Sequence, residues 1–248
     1  MFKKILVPLD GSETAERALA FAQKLTSQEN GQHELILLRV PVAEDAFIDG
    51  HIADVYPKQP LDNTAAEEAQ TYLNQLKQQF ESTDLIVQTL TTVGDIAGVI
   101  LDTAVAEEID LLIMSTHGRS ALRLWMLGGV AERVLRNASC PVLSVRTDQP
   151  LNEIVITLDG SPLAERILPI VFPLARVLEA QVTLLTVNGV IAKSATIDYL
   201  QRIIAQYDAA AFANFKILSG KAAPAIVDYV ANNDVDLLAM VTHGYTGS

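Results

Sequence analysis

A single cysteine, Cys140, stands in 248 residues, so no internal disulfide can form, as expected of a chain kept in a reducing compartment. Basic residues are also scarce: 18 Lys+Arg against 30 Asp+Glu leave a net charge of −12. An acidic chain repels nucleic acid and anionic membrane, which argues against both as partners. The deficit is shared, with 12 basic and 20 acidic residues in 1–147 and 6 and 10 in 148–248, so no basic arm hides in the average. No apolar run reaches the length of a membrane span. The start, Met1-Phe-Lys-Lys-Ile-Leu-Val-Pro8, lacks the small-residue cleavage site of a signal peptide, and a cytoplasmic location is expected. Chemistry-bearing patterns are missing too. There is no Gly-x-Ser-x-Gly elbow, no Cys/His/Asp ligand cluster, no metal-binding carboxylate pair and no Ser-Gly-Gly-x-Asp-Ser loop after the first strand. No catalytic residue and no metal site is therefore expected, and Asn137-Ala-Ser139 is a chance sequon.

Half the residues are apolar and 19% are charged, enough to build a sizeable core. Short apolar runs alternate with helical periods. Lys4–Leu9 predicts a buried strand broken by Asp10-Gly11-Ser12, and Ser12 predicts a helix N-cap with Glu13 and Glu16 in the first turn. Ala15, Ala18, Leu19, Ala22 and Leu25 then recur at helical spacing, and Glu34–Val40 predicts a second strand. Pro41 to Asn63 shows no sustained period and carries Gly50, Pro57 and Pro60, the mark of a long lid or binding segment. Further on come a helix over Thr64–Phe80, strand Leu85–Leu90, helix Ile96–Glu107, strand Asp110–Thr116, helix Val130–Asn137 and strand Pro141–Arg146. This alternation implies a parallel sheet covered by helices on both faces.

The pattern then restarts. Ile154-Val-Ile-Thr-Leu-Asp159-Gly-Ser161 repeats Ile5-Leu-Val-Pro-Leu-Asp10-Gly-Ser12, and Ala164-Glu165-Arg166 repeats Ala15-Glu16-Arg17 at the same offset of 149. Asp236-Leu-Leu-Ala-Met-Val-Thr-His-Gly244 repeats Asp110-Leu-Leu-Ile-Met-Ser-Thr-His-Gly118. Two ordered matches of this length imply an internal duplication, with domains over 1–147 and 152–248 and a linker near Thr147–Asn152. The second repeat is the shorter: 85 positions separate Asp159 from Gly244, against 108 from Asp10 to Gly118. It carries no counterpart of Gly128-Gly129, the helix after them or the last strand, and is expected to be an incomplete copy.

The stretch from Met114-Ser-Thr-His-Gly118 to Gly128-Gly129-Val-Ala-Glu-Arg-Val134 has the makings of a phosphate cradle. Glycines at both ends of a strand-to-helix loop let main-chain N–H groups face an anion, which a helix N-terminus also favours. With the opening strand into Leu-Asp-Gly-Ser, the Ala-Glu-Arg after it and the ending Cys140-Pro-Val-Leu-Ser-Val145, these features make the chain resemble a tandem universal stress protein. That resemblance implies a five-stranded, doubly wound, nucleotide-binding α/β fold in each repeat and dimerisation through an edge strand, here as a homodimer or an intramolecular pseudo-dimer. ATP-binding members are similar in a Gly-x-x-Gly-x9-Gly-Ser/Thr pattern. Here its four positions hold Ser115, Gly118, Gly128 and Gly129, so two match. By resemblance the ATP site, with Mg²⁺, comprises Pro8, Asp10, Val40, Met114, Ser115, Gly118, Arg119, Gly128, Gly129 and Val130. Asp10 would meet the adenosine, the main chain around Val40 the adenine, and Gly118 and Gly128 the phosphates.

The departures have consequences. Gly129 has no hydroxyl, and a hydrogen bond to a charged group contributes about 1.5–3 kcal/mol, a tenfold or larger loss in affinity. Ser115 adds a side chain where the pattern has none, while Arg119 and Arg123 add positive charge to the loop. In the second repeat Asp159 and Gly244 match, but Val241 replaces the first glycine and no phosphate loop closes.

Blander roles stand beside these. Asp10 and Asp159 are also what an Asp-Gly turn uses, and for Asp159 the turn is the expected role. His117 and His243 are expected to make structural hydrogen bonds, Ser12 and Ser161 to cap helices, and Cys140 to be packed and inert. Trp125, Met126 and Leu127 are expected to pack beside a helix start rather than to contact a partner. Three functions compete: a nucleotide-responsive stress module, a nucleotide-independent scaffold with a degenerate loop, and, with least support, a slow ATP hydrolase.

Overall fold

The computed structural model describes residues 2–27, 32–41, 47–48, 51–52, 63–82, 84–115, 128–146, 149–188 and 193–241. The chain forms two compact units that divide between residues 148 and 149. In the first, β1 (Lys4–Pro8), α1 (Glu13–Ser27), β2 (His33–Arg39), α2 (Asn63–Phe80), β5 (Leu85–Thr91), α3 (Ile96–Ala106), β6 (Leu111–Ser115), α4 (Gly129–Asn137) and β7 (Val142–Val145) alternate. Between β2 and α2 lies a two-residue antiparallel ribbon, β3 (Phe47–Ile48) with β4 (His51–Ile52). The sequence predicts no element there, because strands of two residues leave no period to read. The rest of the Pro41–Asn63 segment, apart from its two end residues, lies outside the described residues.

The sheet is parallel, in the order β5-β2-β1-β6-β7. Ile5, Leu6 and Val7 of the central strand are each 0% exposed, as a strand covered on both faces requires. One face packs on α1 and α2. The other buries Leu6, Ile36, Leu38, Leu112 and Met114 against Ala97, Ile100 and Ala104 of α3 and Ala131 and Val134 of α4. The edge of this sandwich is fixed by a carboxylate: Asp110 Oδ2 accepts from the amides of Lys3 and Lys4, both at 2.9 Å.

The second unit contains β8 (Glu153–Thr157), a 3-10 turn over Ala164–Ile167, α5 (Leu168–Leu178), β9 (Gln181–Asn188), α6 (Lys193–Gln206), β10 (Ala213–Ser219), α7 (Ala222–Ala231) and β11 (Leu237–Ala239). Its four parallel strands run β10-β9-β8-β11, the order of the first sheet without its last strand. Asp236 repeats the clamp of Asp110, with Oδ2 accepting from Asn152 and Glu153 amides at 2.8 and 3.0 Å. The first helix differs: where α1 starts at once, Ala164–Ile167 is 3-10 and the α-helix begins at Leu168. Pro169 lies in the first turn of α5, where its missing N–H costs no ladder bond, and Pro173 stands inside the helix.

The two repeats also differ where α3 and α7 correspond. Ala97, Ile100 and Ala104 are buried, whereas their counterparts Ala223, Ile226 and Val230 are not, and α7 has no buried residue at all. The covering helix, α4 in the first unit, has no counterpart among the described residues of the second. Ile100→Ala is therefore expected to lower stability by about 2–4 kcal/mol, and Ile226→Ala by less than about 1 kcal/mol, in urea unfolding followed by circular dichroism. Equal losses would contradict this asymmetry.

Candidate functional site

From β1 the chain winds outward through α1 to β2 and through α2 to β5. It then returns by α3 to β6, on the other side of β1, and continues by α4 to β7. The direction of winding reverses between β1 and β6, and ligands of open parallel sheets bind outside the carboxyl ends of the strands at such a reversal. Pro8 is the last residue of β1 and Asp10 lies two beyond it; Ser115 is the last residue of β6; Val40 follows β2; Gly128, Gly129 and Val130 open α4. Topology thus collects these positions at one end of the sheet. Gly118 and Arg119, with Thr116, His117, Arg123 and Trp125–Leu127, lie outside the described residues, as do His243 and Gly244.

The Asp10-Gly11-Ser12 turn is held from within. Asp10 Oδ1 accepts from the Ser12 amide at 2.9 Å and from the Ser12 hydroxyl at 2.6 Å, and Ser12 Oγ accepts from the Ala15 amide at 3.1 Å. The aspartate shapes the turn and the serine caps α1, as the plainer reading of both residues expects. Asp159 and Ser161 repeat this, with Asp159 Oδ1 accepting from the Ser161 amide at 2.9 Å and Ser161 Oγ from the Ala164 amide at 3.1 Å. Gly11 has φ +81°, a conformation that penalises any side chain.

Behind the turn stands a cluster that the sequence did not single out. The Arg39 guanidinium lies 4.9 Å from the centre of the Tyr72 ring, and the Tyr72 hydroxyl donates to Glu16 Oε1 at 2.8 Å. Burial, then the bond to Glu16 and its negative charge, push the Tyr72 phenol well above its ordinary range. The one hint available was a charged residue, Arg39, closing the apolar run Leu35–Leu38 directly before Val40.

The start of α4 is bare. Gly128 is its N-cap and makes no side-chain cap bond, and both Gly128 and Gly129 are exposed. The dipole of a helix favours an anion at such a terminus. A β-carbon on Gly129 would meet nothing within 4 Å, so the position has room for a side chain. Arg133 of α4 pairs with Asp95 at 2.5 Å, and Asp95 also caps α3 by accepting from the Gly98 amide at 2.7 Å. That pair pins the start of one helix to the next.

Other positions are taken up by packing. Met114 is 5% exposed and sits in the core against α3 and α4, so its main chain rather than its side chain is what faces the strand ends. Val40 is buried, and Val130 packs partly against the same core. Cys140 is half-buried, and that burial raises its thiol above the ordinary range, against thiolate chemistry. An open depression of about 390 Å³ runs along α2, lined by Thr64, Glu67, Glu68, Thr71, Tyr72 and Gln75. Its two carboxylates would repel phosphate. Among the described residues no group of three or more His, Cys, Asp or Glu is placed to hold a metal, and no helix is long and apolar enough to cross a membrane.

The family model for the universal stress protein family matches residues 1–146. Universal stress protein MJ0577 of Methanocaldococcus jannaschii is 30% identical over 159 residues, spanning 59% of this chain and 96% of its own length. Universal stress protein YxiE of Bacillus subtilis is 31% identical over 150 residues, 59% of this chain and all of its own. The crystal structure of a universal stress protein from Archaeoglobus fulgidus covers 99% of this chain and 86% of its own at a TM-score of 0.75 and 19% identity, a likeness of fold across both units. The structure of MJ0577 covers 59% of this chain at a TM-score of 0.50 and 32% identity.

The Tyr72 phenol gives the site a titration of its own. Its folded value lies above tyrosine's ordinary 10.0, so the contribution is intact below pH 10.0 and is lost as pH rises beyond it, because only the unfolded chain then releases the proton. Tyr72→Phe is expected to flatten the alkaline fall in stability while lowering the curve below pH 9 evenly, since the bond to Glu16 is lost at every pH there, measured by urea midpoints across pH. A fall of unchanged steepness would remove Tyr72 from that role.

Proposed function

The chain belongs to the universal stress protein family, and from that membership we propose that its first unit is a nucleotide-responsive regulatory module binding ATP with Mg²⁺. The observation that carries the reading is the uncapped, exposed Gly128-Gly129 start of α4, set beside the carboxyl ends of β1 and β6 where the winding reverses. The phosphates take the helix amides, and Gly118 and Arg119 belong to the same loop in sequence. The main chain at Pro8, Val40, Met114 and Ser115 lines the adenosine side, and Val130 backs the phosphate end. Occupancy orders the loop between Gly118 and Gly128 and so alters the surface shown to partners. A cytoplasmic location accords with the lone cysteine. Among the described residues β7 pairs only with β6, which leaves a strand edge to which a second copy can add, giving a homodimer.

One observation favours the alternative of a nucleotide-independent scaffold. Asp10 Oδ1 already takes two hydrogen bonds inside its own turn, and Gly129 lacks the hydroxyl that ATP-binding relatives carry. Calorimetric titration with MgATP separates the two readings. Saturable binding is expected for the wild-type protein, abolished by Gly118→Val and tightened about tenfold by Gly129→Ser, because that position has space for the side chain and one charge-assisted bond is gained. No heat and no thermal shift at millimolar ATP would overturn the nucleotide reading. Multiple turnovers of ATP in the same sample would make the protein a hydrolase.

A further inference from the structure

The two repeats share the Asp-Gly-Ser turn but not what stands behind it. In the first, a β-carbon built on Gly11 would lie 3.1 Å from Cζ, Nη1 and Nη2 of Arg39 alike. Three equal distances mean that the guanidinium presents its flat face to the turn, in the space a side chain at Gly11 would need. The same group lies over the Tyr72 ring, and Tyr72 is bonded to Glu16 of α1, so β2, α2 and α1 together hold the plane in place. In the second repeat the register Lys4↔Glu34 corresponds to Glu153↔Gln181, which sets Thr186 at the place of Arg39 and Val187 at that of Val40. A β-carbon on Gly160 would meet nothing within 4 Å, although its φ of +83° matches that of Gly11. Thr186, 4% exposed, has a hydroxyl with no hydrogen-bond partner among the described residues. Tyr199 stands at the place of Tyr72, beside Glu165, the counterpart of Glu16. Arg202 reaches Tyr199 from α6, 5.6 Å from the ring, but does not back the turn.

We propose that Arg39 is a positioning residue: its plane, facing Gly11, holds the Asp10 turn in the geometry a ligand at the strand ends requires, and Thr186 at its place gives the second turn no such backing. The ligand half of this inference rests on the nucleotide reading of the same site; the turn half does not. A flat guanidinium restrains the backbone by contact and by charge, whereas lysine keeps the charge and loses the plane. A loosened turn has to be ordered again by the ligand, which costs affinity.

The test uses the full chain in three forms: wild type, Arg39→Thr, which installs the second repeat's residue, and Arg39→Lys. MgATP affinity is measured by calorimetry, and hydrogen exchange of the Ser12 and Ser161 amides by NMR without ligand. Arg39→Thr is expected to weaken MgATP about tenfold and to speed Ser12 exchange about tenfold while leaving Ser161 unchanged, with Arg39→Lys intermediate in both. Unchanged Ser12 exchange in Arg39→Thr overturns the proposal whatever happens to affinity, since a loss of binding alone would make Arg39 a direct ligand contact. Faster exchange with unchanged affinity overturns its link to the ligand. If the wild type binds no MgATP, the nucleotide reading falls and the ligand half falls with it, while Ser12 exchange still decides the turn.

Discussion

The hydrogen-bonded ladder of β1 is the constraint on which the first unit depends. It pairs with β2 on one side and β6 on the other, and Ile5, Leu6 and Val7 are fully covered. Parallel strands must be joined by crossover helices, and these wind with one hand. A central strand with crossovers leaving to both sides therefore has a gap above its carboxyl end that no connection spans. Asp10 and Ser115 reach that gap because they end the two strands that bound it, and α4 starts beside it because it is the connection leaving β6. The site is a product of chain path before it is a product of any side chain.

Duplication preserved the interactions that hold the ladder and lost those that dress the gap. Asp236 clamps the second sheet as Asp110 clamps the first, and Asp159 and Ser161 rebuild the turn and cap of Asp10 and Ser12. These are short-range bonds between residues close in the fold, and any copy of the strand-turn-helix unit recreates them. Arg39 depends on α2 and α1 for its placement. In the second repeat threonine stands in its place, and its hydroxyl has no hydrogen-bond partner among the described residues.

A net charge of −12 does not by itself oppose binding of an anion such as ATP. At physiological salt the field of exposed charges decays over about 8 Å, so the local set decides. Locally there are the start of α4 with its dipole and, at the neighbouring turn, the guanidinium of Arg39 beside the carboxylates of Asp10 and Glu16.

The sequence by itself determined the class of fold, the duplication and the order of elements. Apolar runs of strand length, helical periods and an Asp-Gly-Ser break are local signals, and they recur 149 positions apart. It also placed Ser12 as a cap and gave the turn as one of two roles for Asp10, since both act within a few residues of their own position. Only the tertiary structure decided that Met114 belongs to the core, that Gly129 opens into free space, that α7 lies uncovered where α3 is buried, and that Arg39 and Tyr72 meet behind Gly11. Those facts depend on contacts between segments far apart in the chain, and one-dimensional periodicity carries no record of which distant side chain fills a given space.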